Sequence, residues 1–254
     1  VPPIRFFKYH PFSEYALDAL ERSALWFSAP ARFNDPFDCA LSVEKSPLED
    51  EDFEQLLLHE LAGPREAQVR LLCGNQGHRN PQFRECMTRA IREAFAQQRD
   101  NQHNSRGVAC LSEQPDNLLM WAHYADMHRG FCLEFDATAE PFRNAVQVLY
   151  SDDVPVVNPV PLLDPVNRPP KDYTSAALLT KSSHWSHERE WRLVDVEVNV
   201  LRKYDPTSLI SIYLGCRAAP ERVEQLRAFA DVRRVKCYQM RQSASRFELE
   251  SIAL

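Results

Sequence analysis

The stretch His184-Trp185-Ser186-His187-Glu188-Arg189-Glu190-Trp191-Arg192 runs directly into Leu193-Val194, and reading it decides the fold. Val194, Val196, Val198 and Val200 alternate with Asp195, Glu197 and Asn199. That period of two predicts a strand with one buried face. If the strand begins at or before Glu188, Glu188 and Glu190 point to the same side of it. Two carboxylates held that close repel, so one keeps its proton unless Arg189 or Arg192 neutralises the pair. Trp185 and Trp191 read as packing. The plainer alternative for the cluster is a solvated loop entering an edge strand.

Outward from this stretch, strands and helices segregate. Ile4 to Tyr9, Leu25 to Ser28, Gly107 to Ser112, Phe131 to Phe135, Ala145 to Tyr150, Leu209 to Leu214, Val232 to Tyr238 and Phe247 to Ile252 have strand character. Ser13 caps a helix through about Arg22, and another helix spans about 219–230. Residues 48–100 read as helical, with acids in the first turn after Pro47 and a break at Gly63-Pro64. Phe83, Met87, Ile91 and Phe95 recur every four residues, a core-facing stripe. Arg99 to Arg106 reads as a polar loop, and the proline-dense 151–172 as an irregular surface excursion. Asp116 is placed to cap a short helix, Asn117 to Asp126. The pattern predicts a single α+β domain over 1–254 with a mixed or antiparallel β core and a helical insertion at 44–105.

Composition narrows the chemistry. A formal net charge of −6 over 254 residues argues against a polycation seeking nucleic-acid backbones. The basic segment Arg217 to Arg241 reads as a solvated helix face, the alternative being a patch that meets an anionic ligand. The seven cysteines form no C-x-x-C pair, which argues against a zinc ribbon or a disulfide framework and suits a reducing cytoplasm. No apolar run approaches the ~18 residues of a membrane span. With only six glycines there is no G-x-G-x-x-G, Walker loop or G-x-S-x-G elbow.

Two further constellations can carry chemistry. Phe33-Asn34-Asp35-Pro36-Phe37-Asp38 offers acceptors from Asn34, Asp35 and Asp38 on a stiffened loop, or is a turn in which they bond their own backbone. Met120-Trp121-Ala122-His123-Tyr124 puts Trp121 and Tyr124 three apart on one helix face, with His123 between them. These rings frame a planar ligand, or else pack in the core. Neither His123/His128 nor His184/His187 has H-E-x-x-H spacing, so no metal site is expected.

Several blocks occur in an order that resembles a known family. They are Lys8-Tyr9, Leu25 to Pro30, Phe33 to Asp38, Leu111-Ser112-Glu113, Asp116 to Ala125, His128-Arg129-Gly130, Lys181 with Trp185, and Glu188 to Arg192. Together they resemble a widespread bacterial family of unknown function that is similar to AbiGi-type abortive-infection proteins. More distantly, the chain resembles the ADP-ribosyltransferase fold, including DarT-like toxins.

That second resemblance implies NAD as a substrate and a protein or nucleic-acid acceptor, in a toxin or anti-phage effector. It implies a first-strand nucleotide contact from Arg5, Lys8 or His10, a second-strand serine at Ser28, and an E-x-E motif at Glu188-Arg189-Glu190. No Ser-Thr-Ser follows Phe27. Glu190 then stabilises the oxocarbenium-like transition state and Glu188 orients or deprotonates the acceptor. Trp121 and Tyr124 flank the nicotinamide, and Arg5 or Lys8 meets the pyrophosphate. Tyr9, Asn34, Asp35, His123 and Arg192 complete the expected nucleotide contacts. Two rivals come from other classes: a metal-dependent nuclease built on Asp35, Asp38, Glu188 and Glu190, and a non-catalytic nucleotide-sensing module.

Overall fold

A computed structural model describes residues 3–42, 48–156 and 171–254. The chain divides into two compact units. The first comprises Val1–Phe33, Ser105–Asp152 and Lys181–Leu254, and the second comprises Asn34–Asn104 and Asp153–Thr180. The helical segment expected at 44–105 makes up most of the second unit.

The first unit is built on an eight-stranded sheet whose strands, in chain order, are β1 (Arg5–His10), β3 (Gly107–Ser112), β4 (Phe131–Asp136), β5 (Val146–Gln147), β8 (Glu190–Asp195), β10 (Leu209–Leu214), β11 (Lys236–Gln242) and β12 (Leu249–Ala253). Across the sheet they lie in the order β12-β11-β10-β4-β1-β3-β8-β5. Among the described residues of this sheet, only the β10–β11 pair is parallel. A parallel pair needs a long crossover, and helix α7 (Pro220–Arg233) supplies it. The architecture is therefore α+β with a mixed sheet. β2 (Ala24–Phe27) pairs with β9 (Val200–Lys203), and β6 (Leu149–Ser151) with β7 (Thr180–Ser182), as separate two-stranded ribbons.

Both faces of the sheet are covered. On one side Phe6, Leu111, Leu133, Phe135, Trp191, Leu193 and Ile212 pack with Leu20 of α1 (Glu14–Glu21) and with Leu226 and Ala230 of α7. On the other, Phe7, Tyr9, Cys132 and Met240 pack with Met120 and Trp121 of α5 (Leu118–Tyr124). Double coverage explains why β4 is buried almost throughout, Glu134 included, instead of alternating between buried and exposed. Each large side chain buried this way contributes about 1.5–3 kcal/mol. Truncating Ile212 to Ala at the centre would cost about 2–5 kcal/mol.

In the second unit α2 (Asp50–Leu61), α3 (Glu66–Cys73) and α4 (Pro81–Ser105) surround Phe53, Leu56, Val69, Phe83, Met87 and Ile91. Phe95 joins Leu41 and Ala177 of α6 (Lys171–Leu179) in a smaller cluster. The four-residue stripe is thus core packing.

The structure corrects several sequence expectations. All but Arg106 of the polar loop expected at 99–106 is the last part of α4, because neither Gly nor Pro interrupts the chain between Pro81 and Gly107. The valine alternation is not one strand. β8 ends at Asp195, whose carboxylate accepts from the Glu197 backbone N–H at 2.9 Å, and Asn199 turns the chain with φ 56°. The remainder becomes β9 and pairs with β2. The single strand expected over 145–150 is split into β5 and β6 by the buried Val148. Asn117, not Asp116, caps α5, accepting from Leu119 and Met120 backbone N–H groups. Within the irregular excursion expected at 151–172, residues 157–170 lie outside the described residues.

Candidate functional site

Glu188 does not sit in the strand. A 3-10 turn, Ser183–Glu188, ends there, and Arg189 adopts the left-handed conformation (φ 45°, ψ 54°) before β8 begins at Glu190. Successive residues on one strand face therefore do not bring the two carboxylates together. A lysine does. Lys181 of β7 places its Nζ 2.6 Å from Glu188 Oε2 and 3.0 Å from Glu190 Oε2. Arg192, two residues along β8, forks Glu190 through Nε at 2.7 Å and Nη2 at 3.1 Å. The hydroxyl of Tyr124, the last residue of α5, donates to Glu188 Oε1 at 2.6 Å. Two cations thus face two anions, and all four charged side chains are buried.

The backbone around this knot is fixed from several elements. Ser112 Oγ of β3 donates to the Glu188 carbonyl at 2.7 Å. Asn117 Nδ2 donates to the His187 carbonyl at 2.7 Å. The Glu190 N–H donates to the Tyr150 hydroxyl at 2.8 Å, and the Val148 N–H to the Glu190 carbonyl at 2.9 Å. Register places Ser112 opposite Glu190 and Cys110 opposite Arg192, so β3 forms the floor.

Electrostatics follow from burial and partners. Burial alone would raise the Glu190 carboxyl, but Arg192 and Lys181 outweigh it and lower it to about 2. Glu190 is therefore a permanent anion at neutral pH, unsuited to proton transfer. Burial pushes the Tyr150 phenol up to about 12, so it remains a neutral hydroxyl. Burial lowers Lys8, whose Nζ donates to the Cys110 carbonyl at 2.9 Å, beside the floor of the site.

Above the knot lies a rim of rings. Lys181 Nζ is 5.2 Å from the Trp185 ring centroid. His123 meets Trp185 edge-on at 6.0 Å and Tyr124 at 6.3 Å, and His187 lies 6.0 Å from Trp185. His123 is exposed, whereas Tyr124, Trp185 and His187 are half-buried. This is a polar aromatic surface over a charged interior, suited to a flat ligand with hydrogen-bonding edges.

The expected site residues divide into groups. Glu188, Glu190, Tyr124 and Arg192 converge on the knot, His123 lies on its rim and Lys8 lies beside its floor. Trp121 does not join them, a correction to its expected stacking role. It is fully buried, its indole N–H donates to the Pro115 carbonyl at 2.7 Å, and no ring face is left open. Tyr9 is likewise core, edge-on to Trp121 at 5.3 Å with its hydroxyl on the Gln114 carbonyl. Arg5 pairs with Glu134 at 3.2 Å and Asp136 at 3.8 Å. His10 stacks on Phe131, and burial together with Lys8 lowers it to about 3, so it carries no charge to offer a phosphate. Ser28 bridges to Val108, four residues and roughly 13 Å along β3 from Ser112.

Asn34 and Asp35 belong to the second unit. Asp35 Oδ1 accepts from the Phe37 N–H at 2.9 Å, as the turn reading expects. Among the described residues no group of three or more His, Cys, Asp or Glu could hold a metal ion. No helix among them is long and apolar enough to cross a membrane.

Sequence reading missed Lys181 as the joining cation, and it missed Tyr150, Ser112, Asn117 and the rim role of Trp185. Lys181 lies on a three-residue strand, too short to register as periodicity.

No curated protein and no solved structure matches the chain. Residues 120–193, which hold Tyr124, Tyr150, Lys181, Glu188, Glu190 and Arg192, match DUF2971, a protein family of unknown function.

Proposed function

We propose that this site binds a nicotinamide nucleotide and breaks its nicotinamide–ribose bond, in an ADP-ribosyltransferase-like reaction on a protein or nucleic-acid acceptor. A bacterial toxin or anti-phage effector fits such chemistry. The observation that carries the reading is the 2.6 Å bond from the Tyr124 hydroxyl to Glu188 Oε1. It links the aromatic rim to a carboxylate inside a closed charge network. A ribose hydroxyl can take the place of the Tyr124 hydroxyl on Glu188, exchanging one hydrogen bond for another.

In this reaction the C1′–N bond breaks with its electron pair passing to the ring nitrogen, so nicotinamide leaves neutral. Positive charge develops on the ribose and is stabilised by an adjacent carboxylate. Glu188 suits that contact better than Glu190, because both Glu190 oxygens are held by the cations Arg192 and Lys181, whereas Glu188 Oε1 is held by the neutral Tyr124 hydroxyl. Glu190 then acts as a positioning residue: it holds Lys181, and Lys181 holds Glu188. The acceptor's bond to C1′ forms as its proton passes to solvent or to Glu188.

The test is nicotinamide release and transfer of adenylate-labelled NAD into protein, RNA and DNA. Wild type should exceed Glu188→Gln by at least a hundredfold. Equal rates for the two would sink the proposal. A second reading, a nucleotide-binding module without turnover, is favoured by one observation: all four carboxylate oxygens already have protein partners. It predicts thermal stabilisation by NAD or ADP-ribose with no nicotinamide released.

A further inference from the structure

Buried polar atoms almost always have partners, and leaving one without costs about 1–3 kcal/mol. His187 Nε2 is such an exception: it is shielded from solvent and has no hydrogen-bond partner. The rest of the residue is tightly placed. Asn117 holds its carbonyl at 2.7 Å, the next residue is Glu188, and its ring stands 6.0 Å from Trp185 at an interplanar angle of 35°. His184, in the same 3-10 turn, instead has its Nδ1 3.0 Å from Ser182 Oγ. His187 thus carries an unmet hydrogen-bonding atom beside the largest ring of the rim, on a backbone that cannot easily turn away.

We propose that His187 Nε2 is the ligand-reading group of this site, bonding the carboxamide of a nicotinamide ring that lies against Trp185. The inference rests on the nucleotide reading above and names the end of the ligand that is recognised. A flat ring against Trp185 presents its polar edge to His187, while its ribose reaches toward Tyr124 and Glu188. A carboxamide suits an imidazole in either tautomer, since it offers both an N–H donor and a carbonyl acceptor. The same geometry discriminates against a ring without that amide, which would leave Nε2 buried and unpaired.

The experiment is a titration of the full chain, labelled with 15N-histidine, with nicotinamide mononucleotide. Side-chain resonances are followed by NMR, and tryptophan fluorescence gives the affinity. His187→Gln assigns the signal, and circular dichroism melting confirms that each variant is folded. The expected result is a saturable shift of the His187 Nε2 resonance. Affinity should fall about tenfold in His187→Phe and recover in part in His187→Gln, whose amide restores one bond. The matching nucleotide that lacks the carboxamide should bind wild type about tenfold more weakly and bind His187→Phe no worse than wild type. Binding with an unmoved His187 resonance and an unchanged His187→Phe affinity overturns this inference and leaves the nucleotide reading intact. No binding by wild type overturns both.

Discussion

The two ends of strand β8 each carry a carboxylate forked by an arginine, and they differ in almost everything but geometry. At one end Arg192 bonds Glu190 at 2.7 and 3.1 Å with both side chains buried. At the other, Arg202 bonds Asp195 at 2.7 and 2.9 Å, with 38 % of the arginine side chain and 18 % of the aspartate exposed. Both carboxyls are lowered to about 2, Asp195 chiefly by its bonds from Arg202 and Glu190 by Arg192 and Lys181 against the opposing effect of burial. An exposed pair forms at little cost and contributes little. A buried pair must overcome the desolvation of two ions, and apolar residues of the same size would often serve stability as well. The Asp195 pair therefore needs no further explanation, whereas stability alone does not account for the Glu190 knot, and a role for it in the proposed site would.

The largest expected effect tests that contrast directly. Arg192→Leu strands two buried carboxylates with only Lys181 between them, and should cost about 3–5 kcal/mol in urea unfolding. Arg202→Leu should barely move the urea midpoint. Equal losses would remove the distinction between the two ends.

Acid should separate them next. Glu190 is lowered from 4.5 to about 2, so its contribution is complete above about pH 4.5 and is lost as pH falls through about 2. The loss is on the order of 3 kcal/mol. Asp195 titrates over a similar range, but solvent screens it and it should release far less. Acid unfolding of Glu190→Gln and Asp195→Asn assigns the shares: the first should flatten the profile and the second should barely change it.

Removing the joining cation should reverse the pH trend. In Lys181→Met the two carboxylates face one arginine, so the folded pair takes up a proton more readily than the unfolded chain. Stability should fall by roughly 2–3 kcal/mol at pH 8 and partly recover toward pH 5, because a carboxyl raised by folding stabilises on the acid side. A variant whose stability rises with pH over that interval would show that Lys181 does not hold the pair.

Smaller still, Tyr124→Phe removes one hydrogen bond to Glu188 and should cost about 1–2 kcal/mol by thermal melting. Adding about 0.5 M salt should screen the exposed Asp195–Arg202 pair and leave the buried knot unaffected, so the small stability difference between wild type and Arg202→Leu should vanish while that of Arg192→Leu persists.

How much of this the sequence exposed depended on whether a signal was periodic. The stripe Phe83, Met87, Ile91 and Phe95 announced its own role, since a four-residue repeat has few other uses. β1, β3, β4 and β10 were readable from their apolar, branched or aromatic content. The valines at 194–200 misled because alternation fits a strand on either sheet, and it is divided by the Asp195 bond to the Glu197 N–H and by Asn199's left-handed turn. Trp121 and Tyr124 were equivalent by spacing, yet one is sealed in the core and the other ends at Glu188. Nothing local distinguishes them, because the difference arises from the residues packed against each.

The sequence by itself determined an α+β chain rich in strands, a helical segment after residue 48, and a dense cluster of charges and rings entering β8. These follow from local propensity and repeat, which each segment carries alone. Only tertiary structure decided that Lys181 would join Glu188 to Glu190, that Tyr124 would cap the pair and that His187 would keep one buried nitrogen unpaired. Those contacts link a helix end, a three-residue strand, a 3-10 turn and a strand start. Their meeting is set by sheet register and core packing, which no single stretch encodes.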